Sequence, residues 1–309
     1  MHLALYLPVA GLTVNVVVMA GIGAVVGLLS GLFGVGGGWL LTPLLMMFGI
    51  PATVAAATDA NQIVGASTSG TVAHWRLGNV DFKMGLLMLV GGIAGSTAGV
   101  QLIKLLRATG NADLVIKLCY VAMLGIIGSL MFVESLVAIR RKKDGRKPMH
   151  PKEMTGWARL MAAMPLQMEF AKSGVRASLL LVLFFGSLVG LLAAVMGVGG
   201  GFLMAPVMVY LLAMPMHVVV GTSLFIILFT TINTTFMQAV TNHTVDLALA
   251  VILLLGSTLG AQVGTRLGSR LEQDHLKILL ASIVLIVTIK MVFDLSLVPE
   301  HLLALKGGH

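Results

Sequence analysis

Charge is scarce in this 309-residue sequence. Only 10% of its residues are Asp, Glu, Lys or Arg, against 58% hydrophobic. A soluble domain carries roughly 25% charged residues, so that class is excluded. The single cysteine, Cys119, rules out an internal disulfide and a cysteine-based metal cluster, and it reads as a packed thiol. Aromatic residues make up 6%, and the first Lys or Arg is Arg76. The N-terminus therefore lacks the basic region of a secretory signal, and we expect it to be retained. No G-x-x-x-x-G-K-[ST] loop is present, and no serine sits in a G-x-S-x-G turn.

What the chain has instead is length without polarity. Mean hydropathy is +1.01. Apolar runs of about 20 residues recur, the length a helix needs to cross a bilayer. The net charge of +8 could suggest nucleic acid, but ten of the 20 Lys and Arg lie between Arg140 and Arg176. A basic loop between apolar spans is instead the mark of a cytoplasmic loop, so the expected partner is the lipid bilayer and not nucleic acid.

Two five-residue words organise the rest. Gly34-Val35-Gly36-Gly37-Gly38 follows one apolar run and Gly197-Val198-Gly199-Gly200-Gly201 another. Each is followed by an aromatic, Trp39 or Phe202, and then by Pro43 or Pro206. Clustered glycines disfavour a continuous helix, each costing about 1 kcal/mol relative to alanine, so both words predict helix breaks. Paired breaks in corresponding halves point to a transporter's binding site. The repeat continues through Pro51 and Pro215, then Asp81 and Asp246, at an offset of 163 to 165 residues. Gly91, Gly95 and Gly99 are answered by Gly256, Gly260 and Gly264, two ladders that permit close helix approach.

The expected architecture is all-α and polytopic. Two homologous halves, residues 1–139 and 177–309, hold about five helical segments each and flank a basic cytoplasmic linker, 140–176. The stretch Met154 to Phe170 within the linker reads either as a short helix lying on the inner leaflet or as a disordered tether. Five spans per half would invert one half relative to the other, and the charge asymmetry favours this over a parallel arrangement.

Restarting helices near Trp39 and Phe202 offer free N–H groups to an anion, which makes Gly36, Gly37, Gly38, Gly199, Gly200 and Gly201 candidate substrate-binding residues. The alternative is that the glycines only permit tight crossing. Hydroxyl- and amide-bearing segments, 58–71 and 222–238, add Thr58, Asn61, Thr222, Ser223 and Asn233 as a polar lining. The bland alternative is that these hydroxyls bond back to their own helices. Asp59 is the one acid placed well inside a span. It is the candidate for carrying a coupling proton, or for binding a cation or repelling a wrong anion. Asp81 and Asp246 read as helix N-caps, and the 20 methionines as packing residues. No metal site, catalytic residue or cofactor is expected.

Gly-Leu-Leu-Ser-Gly-Leu-Phe-Gly-Val-Gly-Gly-Gly with Pro43, the copy Gly-Val-Gly-Gly-Gly-Phe-Leu-Met-Ala-Pro, and the Gly-Asn-Val-Asp turn resemble the TauE/SafE family, the sulfite exporter or toluene sulfonate uptake permeases. The resemblance covers about residues 21–290. It implies a carrier of small sulfur-containing anions, sulfite or organosulfonates, in a bacterial inner membrane, with export favoured. Thr58-Asp59 departs from the Thr-Ser more usual in that family, which the second half keeps as Thr222-Ser223. Assembly as a homo-oligomer is compatible with the sequence. An anion channel is one alternative. An intramembrane hydrolase built on Ser67 or Ser69 with His74 is another, and it lacks a serine turn to support it.

Overall fold

The computed structural model describes residues 4–33, 38–143, 164–268 and 273–296. The first half opens with a hairpin, β1 (Ala4–Leu7) and β2 (Leu12–Asn15), followed by α1 (Val16–Phe33), α2 (Gly38–Met47), α3 (Ala52–Arg76), α4 (Phe82–Ala108) and α5 (Ala112–Lys143). The second half opens the same way, with β3 (Gln167–Phe170) and β4 (Val175–Ser178). Helices α6 (Leu179–Met196), α7 (Gly201–Pro206), α8 (Met216–Met237), α9 (Leu247–Gly268) and α10 (Gln273–Ser296) follow. Single π-helical turns prolong α7 over Val207–Leu211 and α8 over Gln238–Asn242.

Six of the described helices are long and apolar enough to cross a membrane. The chain is thus an all-α, multi-pass membrane protein with two small hairpins. Large apolar side chains such as Val90, Leu259 and Ile286 are exposed on the helix flanks, as lipid contact requires. The 25-residue α3 spans about 37 Å but is rich in hydroxyls and amides, and it packs against α2, α8 and α9 inside the bundle.

The hairpins were not legible as strands. Residues 12–15 read as part of an apolar run, and 167–170 as the end of the amphipathic stretch; the structure makes both β. The rest of that stretch, 154–163, lies outside the described residues. Each hairpin turns through a glycine in the left-handed region, Gly11 (φ +67°) or Gly174 (φ +65°), at one common offset of 163 residues. The repeat therefore begins at the strands and not at the first helix of each half.

Contacts between halves follow the repeat. Helix α1 packs on α9 and α4 on α6, while α3 meets its counterpart α8 and α5 meets α10. The glycine ladders make the first two contacts. A methyl at Gly95 would lie 1.9 Å from Ser187 O, and one at Gly260 1.9 Å from Ala24 O. The counterparts run antiparallel: Gly70 lies against Leu224 while Gly221 lies against His74 and Asn79, and Gly125 meets Thr288 while Gly128 meets Val284.

Candidate functional site

The second break begins where α6 ends at Met196. Gly197, Gly199 and Gly200 all have positive φ, +76°, +70° and +82°. Only glycine takes up three such conformations without strain. Sterics demand it as well: a methyl at Gly197 would sit 2.1 Å from Ala56 O, and one at Gly199 2.8 Å from Ile63 and 2.9 Å from Thr231. Gly201 opens α7.

Of the first break, Gly36 and Gly37 fall outside the described residues. Gly38 opens α2 and meets the second break directly, since a methyl there would lie 2.5 Å from Ile63 and 3.1 Å from Val198 O. The next residues seal the junction. Trp39 and Phe202 stack with ring centroids 5.7 Å apart and planes 19° apart, both buried. The two glycine words therefore meet inside the molecule, with the N-terminus of the ten-residue α2 aimed at the junction.

Beside this junction lies a polar cluster contributed mainly by the first half. Helices α2 and α3 form an antiparallel pair that sets Thr42 opposite Asp59. The Thr42 hydroxyl donates to Asp59 Oδ2 at 2.7 Å, and both residues are fully buried. Among the described residues, the buried Asp59 Oδ1, Gln62 Oε1 and Trp39 Nε1 find no hydrogen-bond partner. Tyr120 of α5 enters beside Thr42, and its hydroxyl donates at 2.5 Å to Met196 O, the carbonyl that α6 leaves free at its end. The repeat places Phe202, Ala205, Ser223 and Ile226 where the first half has Trp39, Thr42, Asp59 and Gln62. Donor and acceptor side chains are thus concentrated on one side of a repeated scaffold.

The remaining candidates divide. Thr58 Oγ1 accepts the amide N–H of Asp246 at 3.2 Å, and Thr222 Oγ1 that of Asp81 at 2.9 Å, so both hydroxyls join the halves. Ser223 donates to Val220 O at 3.1 Å in its own helix, and Asn61 is half-buried on α3. Asn233 reaches across to α4 and donates to Ser96 Oγ at 2.9 Å and Thr97 Oγ1 at 3.1 Å. Thr68, Thr231 and Thr234 bond back to their own helices, the bland reading of a hydroxyl-rich segment. Among the described residues His74 Nδ1 has no hydrogen-bond partner, and the side chain of Ser69 lies outside the described set.

Asp81 and Asp246 do cap helices as the sequence suggests: Asp81 Oδ1 accepts from Met84 N at 3.0 Å and Asp246 Oδ1 from Leu249 N at 3.1 Å. Sequence reading missed Thr42 and Tyr120, whereas Gln62 lies within the amide-bearing segment 58–71. Thr42 and Tyr120 stand in apolar runs where nothing local distinguishes them, and only the α2–α3 pairing and the approach of α5 bring them to Asp59. Among the described residues, no group of three His, Cys, Asp or Glu could hold a metal ion.

Comparison with known proteins adds to this geometry. A family profile described as sulfite exporter TauE/SafE matches residues 19–291. The chain is similar to the probable membrane transporter protein YjnA of Bacillus subtilis (strain 168), with 29% identity over 285 residues, 91% of this chain and 100% of that protein. A second protein of that organism, the probable membrane transporter protein YunE, is 27% identical over 238 residues, 74% of this chain and 79% of its own. Sulfite exporter TauE/SafE family protein 6 of Arabidopsis thaliana is 30% identical over 112 residues, 36% of this chain and 24% of its own. No solved structure matches the chain.

Proposed function

Because the chain belongs to the sulfite exporter TauE/SafE family, we propose that it is a secondary transporter exporting a small sulfur-containing anion, sulfite or an organosulfonate, by alternating access. The observation that carries this reading is the meeting of Gly38 with Val198 under the Trp39–Phe202 stack. A helix N-terminus presents unpaired N–H groups and the positive end of a dipole. At this junction α2 begins, and the buried Trp39 indole N–H, without a partner among the described residues, is a donor for which an oxyanion would supply the acceptor.

Substrate binding is assigned to Gly36, Gly37 and Gly38 of the first word and to Gly199, Gly200 and Gly201 of the second. Thr58, Asn61, Thr222, Ser223 and Asn233 line the path on either side. Asp59 carries the coupling proton. Its one hydrogen-bond partner among the described residues is Thr42, which leaves Oδ1 free to take a proton when the path opens.

The antiparallel course of α3 against α8 and of α5 against α10 supports two halves of inverted topology. Equivalent membrane helices that run in opposite directions are related by an axis in the membrane plane. Arg76, Lys83, Arg176 and Arg266 gather at one end of the bundle, the end to which α5 delivers the basic segment after Lys143. That asymmetry supports a cytoplasmic position for 140–176 in a bacterial inner membrane.

The test is flux of labelled sulfite and of an organosulfonate through purified protein in liposomes. Wild type is expected to show saturable flux and counterflow, with flux lost in Gly37→Leu and Gly200→Leu. Trp39→Phe keeps the ring stack and removes the N–H, and should raise KM for the anion about tenfold, the worth of one hydrogen bond to a charged group. Flux that does not saturate would make the protein a channel. An unchanged KM in Trp39→Phe would remove the indole from the site.

A further inference from the structure

Asp81 and Asp246 each do more than cap a helix. Asp81 Oδ2 also accepts from Ser173 N at 3.2 Å and Ser173 Oγ at 2.5 Å, at the tip of the β3–β4 hairpin. Asp246 Oδ2 accepts from Val9 N at 3.3 Å, at the tip of the β1–β2 hairpin. In both cases the hairpin of one half is held by the carboxylate of the other, and the same aspartate's amide is held by a threonine of the hairpin's own half.

The two junctions lie at opposite ends of the bundle. Asp81 follows α3 and sits beside the start of α8, whereas Asp246 follows α8 and sits beside the start of α3. Helices α3 and α8 are antiparallel, so one junction stands near each membrane face. Each hairpin also plugs a full apolar side chain into the bundle at equivalent positions, Leu7 and Phe170, at 0% and 1% exposure.

We propose that the two hairpins are the transporter's gates, and that Asp81 and Asp246 are the positioning residues that latch them, one on each face. This inference rests on the transport reading above. A carboxylate holding a two-stranded flap by one or two hydrogen bonds is a contact that can be broken and remade. A helix packed along a glycine ladder cannot part at comparable cost. Opening one latch while the other holds exposes the Gly38–Val198 junction to one side at a time.

The latches differ at two positions, Ser173 and Lys83. The offset of 163 sets Ala10 in the first hairpin where Ser173 stands in the second. The second latch thus has a side-chain donor that the first lacks, and Lys83 Nζ adds a bond to Glu169 O at 2.9 Å. The face bearing Asp81 is accordingly the more firmly closed of the two.

Electron–electron distance measurements on spin labels test this in the full-length protein in lipid, with Cys119→Ala as background. One label pair, Lys172→Cys with Leu77→Cys, reports the hairpin at Asp81. The other, Pro8→Cys with Leu247→Cys, reports the hairpin at Asp246. Each pair is expected to show a short and a long distance. Ser173→Ala should raise the long-distance population of the first pair about tenfold, the worth of a charged hydrogen bond. Ala10→Ser should lower that of the second pair, and Ser173→Ala should leave flux measurable with an altered KM. A single distance in both pairs, unmoved by either substitution, would overturn the gate assignment. This readout needs no substrate, so static hairpins in a protein that still moves sulfite refute the gates alone. Moving hairpins in a protein that carries no sulfur anion refute the substrate reading alone.

Discussion

Gly260→Ala adds one methyl to the protein and should be among its most damaging single changes. The added carbon would lie 1.9 Å from Ala24 O, with Ala24 C and Leu28 N both at 2.8 Å. These are backbone atoms of a helix, so no side chain can rotate away. Relief to an ordinary contact of about 3.4 Å requires α1 and α9 to part by roughly 1.5 Å along this line. A gap of that size forfeits half or more of each facing atom pair's attraction of about 0.1–0.2 kcal/mol. Over some tens of facing pairs the loss is about 2–4 kcal/mol, offset by about 1 kcal/mol of improved helix propensity. The control is Gly21→Ala on α1, where a methyl would meet nothing within 4 Å and should be neutral or stabilising. Thermal unfolding in detergent, read by helical circular dichroism, compares the two. Gly95→Ala meets Ser187 O at the same 1.9 Å in the companion contact and should cost a similar amount. A Gly260→Ala protein that melts at or above the wild-type temperature would refute the argument that backbone contact holds the halves together.

Tyr120→Phe removes the hydroxyl that satisfies Met196 O and leaves a buried carbonyl unpaired, a cost of about 1–3 kcal/mol that unfolding measurements would show. Because that carbonyl ends α6 at the second break, the variant should also alter the KM of transport, while the exposed control Tyr6→Phe should not. Gly199→Ala combines a φ of +70° with contacts at 2.8 Å to Ile63 and 2.9 Å to Thr231, and should reduce flux more than it reduces melting temperature, since the neighbours are side chains that can shift. Asp246→Ala removes the cap on α9 and the bond from Val9 together. A loss of about 1–2 kcal/mol is expected, with faster hydrogen exchange at Val9 and Leu249 as its local signature.

Membership in a bilayer, the repeat and the places where helices break were all legible in the residues. Each follows from local chemistry: a run of apolar side chains has one solvent it can enter, and four glycines within five residues disfavour a continuous helix. The caps at Asp81 and Asp246 were legible for the same reason. The hairpins were not: a four-residue strand such as Leu12–Asn15 looks the same as the start of an apolar helix, and Gln167–Phe170 the same as the end of an amphipathic one. Thr58 and Thr222 stand at matching places in the two repeats, but their bonds to the amides of Asp246 and Asp81 join segments more than 140 residues apart. The tertiary structure alone decided that Gly38 rests on Val198, that Trp39 faces Phe202, and that Tyr120 reaches from the fifth helix to the end of the sixth. Such contacts depend on which helix lies beside which. In a membrane, where nearly every flank is apolar, burial gives little guide to that choice, and close backbone approach at a few glycines makes it instead.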